Sequence, residues 1–339
     1  MREWVRSDMP RQALSERLVS LVADPPWDRV ASTIPEPDVV YVSNLDVWIN
    51  LRHVLPKAPT IVDFDNLQDV LIRSRRRQLP PPAERRSQVP AAWGSWASSR
   101  ALDLVDERRW RAWQQRCSAE VDVVTVCSEL DVARSGCANA VAVPNGYDLA
   151  WPPRSAERVA VFSTPTVLFV GLLSYEPNHD AARWFATRVL PRLRRQVPAL
   201  RFRVVGRGSE AVADLRGMPG VDVVGEVRSM RGELERADLV VVPIRQGAGT
   251  RLKVTEALAN RIPCVATRIG AEGIDVIDGV HALLADDVDT FVSACGRLLS
   301  DAGLRSRLAT AGFELYEQRY RWPDIRERFA SVVAGLADR

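Results

Sequence analysis

One local pattern recurs along the 339 residues: a short run of mostly β-branched residues, a turn signal, then a segment with helical apolar rhythm. Such runs stand at 38–43, 60–63, 121–126, 166–170, 202–205, 221–224, 239–242 and 264–266. Runs that are apolar on both faces suit strands covered by helices on both sides, so the pattern predicts parallel sheets with crossover helices, a doubly wound α/β architecture. A chain of this length exceeds one ordinary core and suits two such domains facing a cleft.

Two breaks interrupt the pattern. Pro144, Asn145 and Gly146, followed by Pro152, Pro153 and a polar stretch, place a linker at 151–165 between a first domain at 1–150 and a second at 166–320. The segment 321–339 reads as a terminal helix, either lying on the second domain or crossing back to the first. The other break, at 80–99, opens with three prolines and carries Trp93 and Trp96 among serine and glycine. It reads as a mobile loop on the first domain, acceptor-contacting or without a role.

Composition excludes several classes. A hydrophobic share of 46% with 26% charged residues is that of a soluble globular chain, and a formal charge of +3 nominates no acidic partner. The arginine runs at 75–77 and 194–195 do not alternate with aromatics, so nucleic-acid binding is not expected. No apolar stretch reaches signal or transmembrane length. Five cysteines without a CxxC pair predict neither a disulfide framework nor a zinc site, and a reducing cytoplasm fits.

The sharpest motif lies at 243–259, where PIRQGAGTRLKVTEALA follows an apolar strand. Gln246, Gly247, Ala248, Gly249 and Thr250 form a small-residue loop, and a helix is expected to begin near Thr250 or Arg251. Glycines let the backbone approach a ligand, and amides at a helix N-terminus attract phosphate oxygens. Arg251 can act as a fork and Lys253 as a point charge on a diphosphate if both turn toward the loop. Glu256, about one turn beyond Lys253, can accept both hydroxyl protons of a ribose. The alternative is a plain turn followed by solvated helix charges; the combination after a strand and before a patterned helix favours a nucleotide site.

This stretch resembles the donor-binding signature of family-4-type GT-B glycosyltransferases, the subgroup reading G-A-G-x-R/K-x-K-x-x-E-A. Further segments agree in order: Val143 to Gly146, Phe169 to Ser174 with Pro177 and Asn178, Gly206 and Gly208, Gly225 to Val227, and Gly270 to Gly273. The resemblance implies a GT-B fold of two Rossmann-like domains and transfer of a sugar from a nucleoside-diphosphate sugar to a hydroxyl acceptor with retained configuration. It implies that Glu256 binds the ribose, that Lys253 holds the diphosphate with Arg251, and that Gly171 and its neighbours lie over the donor phosphates. Gly206, Gly225 and Val227 complete the donor side, the last two flanking the base. Many relatives carry a glutamate eight residues before the ribose-binding one; here that position is Ala248, and Gln246 is the nearest polar candidate for the donor sugar. No metal or cofactor beyond the nucleotide sugar is expected.

The acceptor side is less marked. No strand with a glycine-rich loop precedes Asp38, so a truncated first domain is expected. Asp63, Asp65 and Asn66 end a strand run, where open α/β sheets bind ligands; all three are candidates for positioning the acceptor hydroxyl or supporting sugar transfer, Asp65 and Asn66 foremost, or else turn and cap formers. Ser128 reads as an N-cap, and none of the three histidines, His53, His179 and His281, fits a catalytic motif. The acceptor is expected to be a saccharide, a lipid-linked saccharide or a small molecule, met in the cytoplasm or at the inner membrane face. The rival reading is an inactive GT-B homologue that binds nucleotide or a protein partner.

Overall fold

The computed structural model describes residues 7–13, 36–76, 89–154, 164–247 and 252–337, with the backbone alone over 89–95. The chain packs as two compact units: one comprises Met1–Pro144, Gly247–Gly249 and Glu327–Arg339, the other Asn145–Gln246 and Thr250–Arg326.

The first unit holds a four-stranded parallel sheet in the order β1 (Val40–Ser43), β2 (Thr60–Phe64), β3 (Val123–Val126), β4 (Ala140–Ala142). The connections are α1 (Leu45–Leu51), α2 (Gln68–Arg76) with the 32-residue α3 (Val89–Glu120), and α4 (Glu129–Ser135). Its core gathers Trp48, Trp110 and Trp113 over Val62, Phe64 and Val124. The loop expected at 80–99 is corrected here, because residues 89–99 are the first turns of α3. Pro90 sits in the opening turn, where a missing N–H leaves no intrahelical bond unmade, and the small residues that follow do not oppose a helix. Residues 77–88 lie outside the described residues.

The second unit holds six parallel strands in the order β10, β9, β8, β5, β6, β7. These are β5 (Thr166–Val170), β6 (Arg201–Val205), β7 (Val221–Gly225), β8 (Leu239–Val242), β9 (Cys264–Ala266) and β10 (Leu283–Leu284). Around them run α5 (Glu176–Trp184), α6 (Leu190–Gln196), α7 (Arg231–Arg236), α8 (Leu252–Ala259), α9 (Val288–Ser300) and α10 (Ala302–Arg319). α11 (Trp322–Ala337) begins in this unit and contributes its residues from Glu327 onward to the first. All four residues of β8 are buried, as a strand covered on both faces requires.

The order reverses between β5 and β8. From β5 the chain winds outward through β6 and β7, then returns to the other side of β5 and winds outward through β9 and β10. The loops leaving β5 and β8 therefore diverge at a topological switch point, the position at which open α/β sheets form a ligand crevice.

Candidate functional site

Three glycines stand at the carboxyl ends of the neighbouring strands β5, β6 and β7. Gly171, after β5, donates its N–H to Val205 O at 3.0 Å, and Gly206, after β6, donates to Gly225 O, at the end of β7, at 2.8 Å. Gly206 has φ 145°, and a Cβ there would stand 1.8 Å from Gly171 O, a distance no side chain tolerates. Gly225 also lies at positive φ, 79°. The loop of 171–175 is tied down further: Leu173 N–H donates to Arg207 O at 2.7 Å, and the buried Asn178 donates from Nδ2 to Leu172 O at 2.8 Å.

On the other side of the switch point, α8 buries Val254, Thr255, Ala257, Leu258 and Ala259. Lys253 and Glu256, three residues apart, share the remaining face. The Lys253 stem turns toward the first loop: a Cβ on Gly171 would meet Lys253 Cε at 2.9 Å. The bare Cα of Gly171 thus makes room for the lysine chain against the β5 loop. Glu256 is half-buried, and that burial raises its carboxyl above the ordinary value, against a hydrogen bond from Tyr147 and the charge of Lys253, which both lower it. Tyr147 Oη donates to Glu256 Oε1 at 3.2 Å.

Further residues singled out from the sequence follow β7 and β8. Gln246 is buried, and Val227 is half-buried against the core beyond Gly225. Gly247 takes φ 130°, a conformation L side chains rarely adopt. Ala248, Gly249, Thr250 and Arg251 lie outside the described residues. Arg245, not singled out from the sequence, forms a bidentate pair with Asp180 of α5 at 2.7 and 2.9 Å and lies 5.6 Å over the Trp184 ring. It fixes the chain leaving β8 just ahead of the glycine loop.

In the first unit, Asp65 and Asn66 follow β2 and join each other, Asn66 Nδ2 donating to Asp65 Oδ2 at 2.9 Å, while Cys127 Sγ donates to Asp65 O at 3.2 Å. Beside them Asp63 accepts from Thr125 Oγ1 at 2.8 Å and from Tyr41 Oη at 3.2 Å. Burial raises the Asp63 carboxyl, the two hydrogen bonds oppose this, and the charge of Asp65 adds to the rise. These groups share the carboxyl ends of β2 and β3 with Ser128, whose hydroxyl accepts from Asp131 N–H at 3.1 Å as the N-cap of α4. Tyr41 and Thr125 carry no motif of their own and enter only through strand register. Among the described residues, no group of three His, Cys, Asp or Glu side chains is placed to hold a metal ion.

Residues 164–301 match the family described as Glycosyl transferases group 1. The chain is 29% identical over 198 residues to the GDP-mannose-dependent alpha-(1-6)-phosphatidylinositol monomannoside mannosyltransferase of Mycolicibacterium smegmatis, a match covering 54% of this chain and 51% of that protein. It therefore spans about half the length of that relative. Among solved structures, sucrose-phosphate synthase from Thermosynechococcus elongatus superimposes with a TM-score of 0.69 at 18% identity, covering 97% of this chain and 80% of that one. HepE of Anabaena, in complex with UDP-glucose, gives 0.66 at 16% identity, covering 94% and 84%. Over residues 164–301 the chain is similar to the group 1 glycosyl transferases, and its fold is that of the GT-B glycosyltransferases.

Proposed function

We propose that this protein transfers a sugar from a nucleoside-diphosphate sugar to a hydroxyl acceptor with retention of configuration. The observation that carries the reading is the meeting of Lys253 with the Gly171 loop at the switch point, with Glu256 beside it on the same helix face. A cation against a backbone loop, next to a carboxylate, suits a diphosphate and its ribose. In this reading Glu256 accepts the two ribose hydroxyls, and Lys253 with Arg251 and the amides of 171–173 and 247–250 stabilise the charge that develops on the departing diphosphate. Electrostatic stabilisation of that kind asks for no metal. The glycines at 206 and 225 and Val227 bound the base, and Gln246 with the backbone of 247–249 contacts the sugar.

Asp65 and Asn66 position the acceptor hydroxyl, and a carboxylate near that oxygen can take its proton. The relative named above uses GDP-mannose by its name, and HepE was solved with UDP-glucose; both point to a nucleoside-diphosphate hexose here. A saccharide or lipid-linked saccharide is the acceptor class, and the reaction takes place in the cytoplasm or at the inner membrane face. No described helix is long and apolar enough to cross a membrane.

Incubation of the chain with UDP-glucose or GDP-mannose and EDTA is expected to release nucleoside diphosphate slowly without an acceptor and faster with one, giving an α-configured product from these α-donors by NMR. A β-configured product, or dependence on added metal, contradicts the mechanism. Ala248, where many relatives of this type carry glutamate, favours the second reading, a nucleotide-binding homologue without transfer. Binding without any donor turnover would select it.

A further inference from the structure

Tyr147 stands just past the boundary between the units at Pro144 and Asn145, and 109 residues before the carboxylate it touches. Its backbone is held at both ends, the N–H donating to Tyr320 O at 2.9 Å and the C=O accepting from Tyr316 Oη at 2.9 Å. Its ring meets the Tyr316 ring edge-on at 6.5 Å. The preceding Gly146 is packed so closely that a Cβ would lie 2.8 Å from the Trp322 ring. The phenol is thus fixed by groups of its own unit, and its hydroxyl reaches Glu256 Oε1 at 3.2 Å.

We infer that Tyr147 is a positioning residue of the donor site, holding the Glu256 carboxylate in the orientation that receives both ribose hydroxyls. The inference rests on the reading of Glu256 as the ribose-binding acid. A glutamate side chain has three torsions to fix, and a carboxylate offers about four lone-pair positions. One bond from Tyr147 fixes the group while leaving Oε2 and a lone pair of Oε1 for the ligand. Asn260, one turn on, donates its Nδ2 to the Glu256 backbone carbonyl at 2.8 Å, so it braces the helix turn behind the carboxylate. A hydroxyl donor also favours the ionised form that a pair of ribose O–H groups requires, against the effect of burial.

A merely structural role, tying 145–147 to α8, predicts lower stability with unchanged ligand preference. The two roles separate in calorimetric titration of the full chain with UDP, GDP and ADP, each beside its 2′,3′-dideoxy counterpart. The native protein is expected to prefer the ribose form of the nucleotide it binds. Tyr147→Phe keeps the ring and both backbone bonds, and is expected to weaken ribose-form binding on the order of tenfold while leaving the dideoxy form unchanged. Tyr316→Phe loosens the Tyr147 backbone without removing its hydroxyl and is expected to lower the melting temperature while retaining the preference. Full preference in Tyr147→Phe overturns the inference and leaves the donor reading standing, as does equal loss in Tyr316→Phe. A native protein that binds none of the three nucleotides, or binds both sugar forms alike, overturns the donor reading and this inference with it.

Discussion

Glu256 shows how a single side chain acquires a pH dependence from its surroundings. Burial raises its carboxyl, with the Tyr147 hydroxyl and the Lys253 charge opposing. Only the ionised form accepts two hydroxyl protons, so the proposed ribose-binding role predicts an affinity for nucleoside diphosphate that is full above the raised value and falls as pH drops through it. That acid limb should begin above the ~4.3 of an ordinary glutamate. The nucleotide's terminal phosphate also titrates, at about 6, so the comparison is with Glu256→Gln, in which only the phosphate contributes. We expect the native protein to lose more affinity than Glu256→Gln between neutral and acid pH; parallel profiles contradict the assignment. That Lys253 and Glu256 share one helix face was legible in the sequence, because their spacing puts them there. Tyr147 was not: nothing local marks a tyrosine whose partner is supplied by α8 through the tertiary fold. Gly206 lies between these cases. Its motif was visible, but that its Cα must rest on the Gly171 carbonyl is a property of two adjacent strands.

Among the elements, the strands with Val and Ile at their centres were readable to within a few residues, because burial on both faces leaves a continuous apolar run. β4, which is Ala-Val-Ala, and β10, which is Leu-Leu, carry too little β-branched character to stand out and exist because neighbouring strands offer hydrogen bonds. The first turns of α3 were misread because Pro90 and the serines resemble a loop, although proline is at home in an opening turn. α3 is fastened by charge as well as by tryptophan: the fully buried Asp103 is joined to Arg11 at 2.6 Å, Arg75 at 2.7 Å and Arg100 at 3.2 Å. Burial alone would raise the Asp103 carboxyl, but the hydrogen bonds and charges of Arg11 and Arg75 outweigh it and hold it below the usual range. A lowered folded value means stabilisation present above the unfolded value and lost as pH falls through the folded one. Asp103→Ala should cost on the order of 2 kcal/mol at neutral pH, less than a wholly buried pair because the arginines are partly exposed. In urea unfolding the gap between native and variant should narrow toward pH 3; a gap that stays constant with pH contradicts the electrostatic account.

At the scale of the molecule, the strand order of the second unit does most to locate the site. Two loops far apart in sequence leave β5 and β8, and the reversal of winding between those strands brings Gly171 against Lys253. The alternation of strands and helices announced such a sheet, whereas the order of its strands depends on which hydrogen-bonding edges pair, which no local pattern records. The central claim is that this crevice takes a nucleoside diphosphate through Lys253 and Glu256. Its most direct test is isothermal titration of the chain with UDP, GDP and ADP beside Lys253→Ala and Glu256→Ala. The account predicts selective binding of one of these nucleotides by the native protein and at least tenfold weaker binding in each variant, at unchanged melting temperature. Native-like affinity in both variants, or no nucleotide bound by the native chain, would contradict it.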